Sequence, residues 1–257
     1  MKTLVCFISH IINADLINRF FDIKNAVEGK YDIIYVSPNV YIKDDNLNQY
    51  IVNLDIKENF FDQKNQNVTK NNLAMLEIYN RYPEYDNYWF IENDVAIFND
   101  NICDGWKNIF RFYDNNKSDL ICSKIHKYTE ISGYTKRYPI ENLQNYNIHI
   151  PYNELLFGFL TICRLSNKLL KQVKKYYDEY DGFFEYIIPS IAKKLGMQIS
   201  SFTEDGFDIE DTSNHDDPNG INIGSNTWNE TYLLSKLDSY PKNKNIIIHP
   251  IKLNKCN

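Results

Sequence analysis

Short apolar runs recur along the chain, each separated from the next by a longer amphipathic segment. This pattern predicts strands joined by helices in a mostly parallel sheet, an α/β architecture. LVCFIS and YDIIYVS read as the first two strands, with NADLINRFFDIKNAV as the helix between them. Strands this continuously apolar are buried on both faces. NNLAMLEIYNRYP repeats apolar residues at helical spacing, stops at Pro83 and delivers the chain into a further strand, YWFIEND. WKNIFRFYDNN then reads as a helix, DLICSKI as a strand, and ELLFGFLTICRLS as one strand with a glycine near its start. NKLLKQVKKYYDEY is a helix, and GFFEYIIPSIAKKLG is a second, kinked or restarted at Pro189. MQISSF is another strand, and NIIIHPIK closes the chain as a short apolar run.

Composition narrows the function classes. With 257 residues, 43% hydrophobic and 15% aromatic, the chain has the material for a sizeable core. The absence of an internal repeat or linker predicts one domain over residues 1–257. A formal net charge of −6 offers no global attraction to phosphate backbones, which argues against general nucleic-acid binding. The 5 cysteines, Cys6, Cys103, Cys122, Cys163 and Cys256, never form CxxC and read as reduced, mostly buried thiols of a cytosolic protein. MKTLVCFISHII has the apolar run of a signal peptide, but His10 and Asp15 interrupt it and no small-residue cleavage site follows; a first core strand is expected. No apolar stretch approaches the roughly 20 residues of a membrane-spanning helix. The sequons at Asn67 and Asn229 are uninformative in so asparagine-rich a chain.

One stretch calls for chemistry: YDNYWFIENDVAIFND, residues 85–100. Glu92 and Asp94 fall at the carboxyl end of a buried strand, which is where open α/β sheets place their ligands. If the strand alternation continues through them, residues two apart share a face and can hold one ion between them. An acidic pair alone is more often a cap or a turn. Here it precedes another apolar run with no glycine turn to explain it.

At this point the sequence resembles the GT-A class of nucleotide-sugar glycosyltransferases. YWFIENDVAIF resembles the strand and acidic DxD motif of that class, with Glu92-Asn93-Asp94 in its place. Three further elements follow in the family's order: LLFGFLTICRLSN resembles its glycine-bearing segment, FFEY its acidic helix position, and IIIHP its late histidine. The departures are a single glycine where two adjacent ones are common and no second acid after Glu185. The resemblance implies a GT-A-like single domain, with a nucleotide-binding half at 1–100 and an acceptor-binding half at 101–257. It further implies Mn²⁺ or Mg²⁺ held by Asp94, His249 and Glu92, with Glu92 acting directly, through a water or on the ribose. Phe157 and Gly158 would lie near the sugar, and Glu185 would serve as general base of an inverting transfer. In a retaining enzyme Glu185 need not be a base.

The implied reaction moves a sugar from a nucleotide donor, UDP being the commonest, onto a glycan or lipid-linked acceptor in bacterial cell-surface polysaccharide synthesis. It would run in the cytoplasm, at the inner face of the membrane. A divalent ion on the diphosphate is what makes that group able to leave, and hard oxygen ligands suit it; an added imidazole tilts preference toward Mn²⁺.

Other residues carry weaker signals. Ser9 ends the first strand in the nucleotide half, and Lys70 and Asn72 begin the helix leading to the acid pair, where a helix N-terminus can take an anion. For Lys70 and Asn72 a solvated helix start is an equal reading. His10 and His126 are set at strand ends and could meet the base and the acceptor; His149 and His215 lie in polar segments and are expected to be exposed. Lys174 and Lys175 form a basic helical stretch that is either a solvated face or a peripheral membrane contact. The tyrosine-rich span 129–150 reads as a long loop and 204–226 as a solvated loop or a flexible lid. Two other classes compete. A nucleotidylyltransferase would show a glycine- and lysine-rich loop that FISHIINAD lacks, and a catalytically inactive sugar- or nucleotide-binding module would bind without turnover.

Overall fold

The computed structural model describes residues 1–9, 12–38, 45–54, 70–130, 150–176, 184–211 and 245–249. Seven strands form the central sheet: β1 (Thr3–Ile8), β2 (Asp32–Pro38), β3 (Ile51–Leu54), β4 (Asn87–Glu92), β6 (Leu120–Cys122), β9 (Ile162–Ser166) and β10 (Ile199–Ser201). Their spatial order is β10-β6-β9-β4-β1-β2-β3. β9 runs antiparallel to both β4 and β6, and the other pairings are parallel. The mixed, mostly parallel α/β sheet read from the apolar runs is therefore the observed one.

Alternation along the strands sorts the core into two layers. Leu4 and Cys6 of β1 and Tyr88 and Phe90 of β4 face helices α3 (Lys70–Arg81), α5 (Asn167–Tyr176) and α6 (Phe184–Lys194). Val5, Phe7, Trp89 and Ile91 face α1 (Ala14–Val27) and α4 (Ile102–Tyr113). α2 (Asp45–Asn48) is a single turn before β3. Burial on both faces explains why β1 and β4 read as unbroken apolar runs. α1 starts where Asn13 accepts a hydrogen bond from the Leu16 amide at 2.9 Å, and buries Leu16, Phe20, Ile23 and Val27 along one stripe. α4 is capped likewise by Asn101. Its Gly105 is packed so closely that a Cβ there would stand 2.7 Å from Ile97 Cγ2.

Two small ladders build out from the sheet. β5 (Ala96–Phe98), β12 (Ile246–His249) and β11 (Asp208–Asp211) form a three-stranded sheet in the order β11-β12-β5. β7 (Ile125–Lys127) pairs antiparallel with β8 (Leu156–Gly158), His126 opposite Phe157. The run 154–166 is thus two strands and not one. After Gly158 the chain leaves β7, its Phe159 amide and carbonyl bonding Lys124 O and Ser123 N, and enters the central sheet as β9. Part of the expected 204–226 loop is likewise a strand, β11. Pro189 sits inside a continuous α6. Cys6, Cys122 and Cys163 are buried free thiols and Cys103 is partly exposed. Among the described residues no helix is long and apolar enough to cross a membrane.

Topology selects one edge of this sheet. From β1 the chain moves outward through β2 and β3, then returns to place β4 on the other side of β1. The crevice beyond the carboxyl ends of β1 and β4 is the switch point at which open α/β sheets take ligands. Ile8 and Glu92 are register partners there.

Candidate functional site

The site is assembled where β4 ends. The Glu92 amide completes the sheet by donating to Thr161 O at 2.9 Å, and the Val95 amide then closes a turn onto Glu92 O at 3.1 Å. Asn93 and Asp94 occupy the middle of that turn, so strand alternation stops at Glu92. The two acids are brought together by the turn, not by a shared strand face. β5 follows and pairs antiparallel with β12, Ala96 opposite Ile248, which sets His249 beside the turn. His249 Nε2 lies 3.7 Å from Glu92 Oε2 and 3.4 Å from Asp94 Oδ1, with all three side chains partly buried. The imidazole also packs edge-to-face on Phe159, centroids 5.0 Å apart.

One ligand atom from each of Glu92, Asp94 and His249 falls within 4.8 Å of the others. Ligands about 2.1 Å from an octahedral ion stand roughly 3.0 Å apart when adjacent and roughly 4.2 Å when opposite. The observed 3.4 and 3.7 Å lie between those limits and the remaining pair lies within 4.8 Å, so the three donors can converge on a single divalent cation through side-chain adjustment. Two carboxylate oxygens and one imidazole suit Mn²⁺ or Mg²⁺ by donor chemistry.

Glu185 is 6% exposed, so its carboxylate is not turned to water. Its Oε1 accepts the Leu160 amide at 3.1 Å, and one helical turn on, Ser190 Oγ bonds both the amide (3.0 Å) and the carbonyl (3.2 Å) of Leu156. α6 therefore clamps the segment 156–160 at both ends. Gly158 is pressed against that helix: a Cβ would stand 2.7 Å from Pro189 Cγ and 3.1 Å from Ile125 Cδ1. The glycine is required here for close packing. Phe157 is fully buried and its ring packs on Tyr186, centroids 5.0 Å apart, so its side chain belongs to the core. Burial pushes the Cys163 thiol up, and the charges of Cys122, Glu92 and Glu185 add to the effect.

Ser9 is buried at the end of β1, its amide donating to Val36 O at 2.9 Å. Lys70 and Asn72 lie in the first turn of α3, and their side chains fall outside the described set. His126 sits on β7 with its pKa lowered, first by burial and then by Lys124. Lys174 donates to Asn80 Oδ1 at 2.6 Å from an exposed face of α5. His10, His149 and His215 lie outside the described residues, as do 131–149 of the tyrosine-rich span and 212–226 of the expected lid.

Sequence reading missed two neighbours of the cluster. Phe159 supports the imidazole, and Arg19 of α1 donates from Nη1 to Asn93 O at 3.3 Å. Burial lowers the Arg19 pKa, and the charges of Asp94 and then Asp15 oppose that shift. Phe159 adjoins Gly158 and was within reach of the motif, whereas nothing in the local sequence connects α1 to a turn 74 residues away.

No protein-family model matches this chain, and no curated protein matches it. Similar solved structures include the galactosyltransferase LgtC in complex with donor and acceptor sugar analogues, at TM-score 0.45 and 12% identity, covering 84% of this chain and 80% of that one. The Saccharomyces cerevisiae mannosyltransferase Ktr4p matches at TM-score 0.46 and 12% identity, covering 78% and 68%. The glycosyltransferase GlyE of Streptococcus pneumoniae TIGR4 matches at TM-score 0.47 and 11% identity, covering 99% and 55%. Similarity at this level assigns no activity to the chain.

Proposed function

We propose that this protein is a metal-dependent glycosyltransferase that moves a sugar from a nucleotide donor to a hydroxyl of a glycan or lipid-linked acceptor. The observation that carries the reading is the convergence of Glu92, Asp94 and His249 at the carboxyl edge of β4, beside the switch point of the sheet. On this reading Asp94 and His249 hold Mn²⁺ or Mg²⁺ directly, with Glu92 as a third ligand or acting on the ribose. When bound, the cation neutralises charge on the departing diphosphate. Ser9 and the amino end of α3, with Lys70 and Asn72, border the donor from the nucleotide half, residues 1–100. Residues 101–257 supply the acceptor side. Phe157 and Gly158 contribute through the backbone of the clamped segment, since both side-chain positions are packed.

Inversion requires the acceptor hydroxyl to lose its proton as it attacks the anomeric carbon opposite the phosphate. Glu185 is the assigned acceptor of that proton; its Oε1 also receives the Leu160 amide, which fixes the carboxylate in place. UDP is the proposed donor nucleotide, and cell-surface polysaccharide assembly in a bacterial cytoplasm the proposed setting. Lys174 and Lys175 of α5 would then supply a peripheral contact with the inner face of the membrane.

The experiment is a melting-temperature screen with UDP, GDP and CDP and their sugar conjugates, each with Mn²⁺, Mg²⁺ or chelator. One nucleotide family should stabilise the protein, and chelator should abolish the effect. No shift with any nucleotide would overturn the reading, and binding that persists with chelator and without turnover would favour an inactive module.

A further inference from the structure

The turn that carries the acid cluster leaves one polar group for something else to hold. Its own hydrogen bond uses Glu92 O and the Val95 amide, while the carbonyl of Asn93, in the central peptide of the turn, points out of that ring. Arg19, half-buried on the second turn of α1, donates to this carbonyl at 3.3 Å. α1 is in turn fixed by its Asn13 cap and by its packing against α4. A cation is therefore built into the wall of a site whose other groups are two carboxylates and an imidazole. It is tied to the residue that separates the two acids. The charged groups acting on the guanidinium are Asp94 and Asp15.

Resting on the reading of the site as one for a cation and a nucleoside diphosphate, we propose that Arg19 is a positioning and charge-balancing residue that couples the two ligands. Without Arg19, Glu92 and Asp94 would present two negative charges and bind a bare divalent cation well. With Arg19 the cluster is only singly negative, so the ion alone is held weakly. Once the ion is in place the site carries net positive charge, which favours the diphosphate. The arginine thus trades affinity for the free ion against affinity for the ion together with its nucleotide, and at the same time holds the turn. A merely structural tie makes the opposite forecast for the ion, because loosening the turn weakens every ligand equally.

The test uses the full chain, with Mn²⁺ alone followed by electron paramagnetic resonance and UDP in saturating Mn²⁺ followed by calorimetry, on wild type, Arg19→Gln and Arg19→Lys. Arg19→Gln should bind Mn²⁺ alone roughly two- to fivefold more tightly, from the loss of one screened repulsion. It should bind UDP with Mn²⁺ about tenfold more weakly, the scale of one lost charge-assisted interaction. Arg19→Lys keeps the charge and should return both affinities to within about threefold of wild type. Parallel loss of both affinities in Arg19→Gln, or no change in either, overturns the inference. If Arg19→Gln does not fold, Arg19→Lys carries the test, and a tenfold weaker Mn²⁺ affinity there overturns it, since the charge is retained. Failure of wild type to bind UDP would refute the functional reading, while the Mn²⁺ arm would still decide the electrostatic role of Arg19.

Discussion

Replacing Glu185 separates the observed clamp from the proposed base, because the two have different chemical requirements. As a clamp, the side chain needs an acceptor oxygen 3.1 Å from the Leu160 amide, and a glutamine amide oxygen supplies one. As a base it needs a carboxylate. Glu185→Gln should therefore retain the fold, with a stability loss below about 1 kcal/mol from exchanging a charged for a neutral acceptor. Its transfer rate should fall by roughly 10²- to 10⁴-fold, the usual contribution of a general base, with donor affinity unchanged. Glu185→Ala removes the acceptor altogether and leaves a buried amide without it, at a cost of about 1–3 kcal/mol. For a chain of this size each kcal/mol lowers the melting temperature by about 2–4 °C. The assay is single-turnover transfer beside a melting curve for both variants. A Glu185→Gln protein with wild-type turnover at saturating donor would refute the base, and a Glu185→Ala protein with an unchanged melting temperature would refute the clamp.

Other consequences can be checked more quickly. Gly158→Ala drives a Cβ to 2.7 Å from Pro189 Cγ and should destabilise by about 1–3 kcal/mol, read by chemical denaturation. The lowered pKa of His126 means that the folded protein binds fewer protons there than the unfolded chain. Stability should fall as pH drops below the ordinary histidine value of 6.5 toward the folded value, and His126→Gln should flatten that part of the melting-temperature profile. An unchanged acid slope in the variant would remove His126 as its source.

How much of this was legible in the sequence depends on the range of the interaction. β1, β2, α1 and β4 could be read because their apolar periods are local and strong, and the position of Glu92 at a strand end followed from them. The break between β8 and β9 could not, because the 156–161 stretch carries no turn signal beyond Gly158 and the change of partner at Phe159 is made by hydrogen bonds to Ser123 and Lys124. β5 and β11 were hidden for a similar reason: three or four residues carry too little periodicity, and their pairing is decided by β12, far along the chain. The acid pair was found with the wrong local geometry, a strand face in place of a turn, since both put residues two apart within reach of one histidine. The burial of Phe157 and the packing role of Gly158 were invisible without α6, and Arg19 without the fold that carries α1 past the turn.

On the proposed reading Asp94, with His249 and Glu92, joins a divalent cation to a nucleotide. The direct measurement is the melting temperature of wild type and Asp94→Ala with saturating UDP, with and without Mn²⁺. At 100 times the dissociation constant a ligand adds about 2.7 kcal/mol, or roughly 5–10 °C for a chain of this size. That shift should appear in wild type with Mn²⁺, vanish on adding chelator, and be absent in Asp94→Ala, whose unliganded melting temperature stays near that of wild type. A nucleotide shift of equal size in Asp94→Ala, or one that survives chelation in wild type, would contradict it.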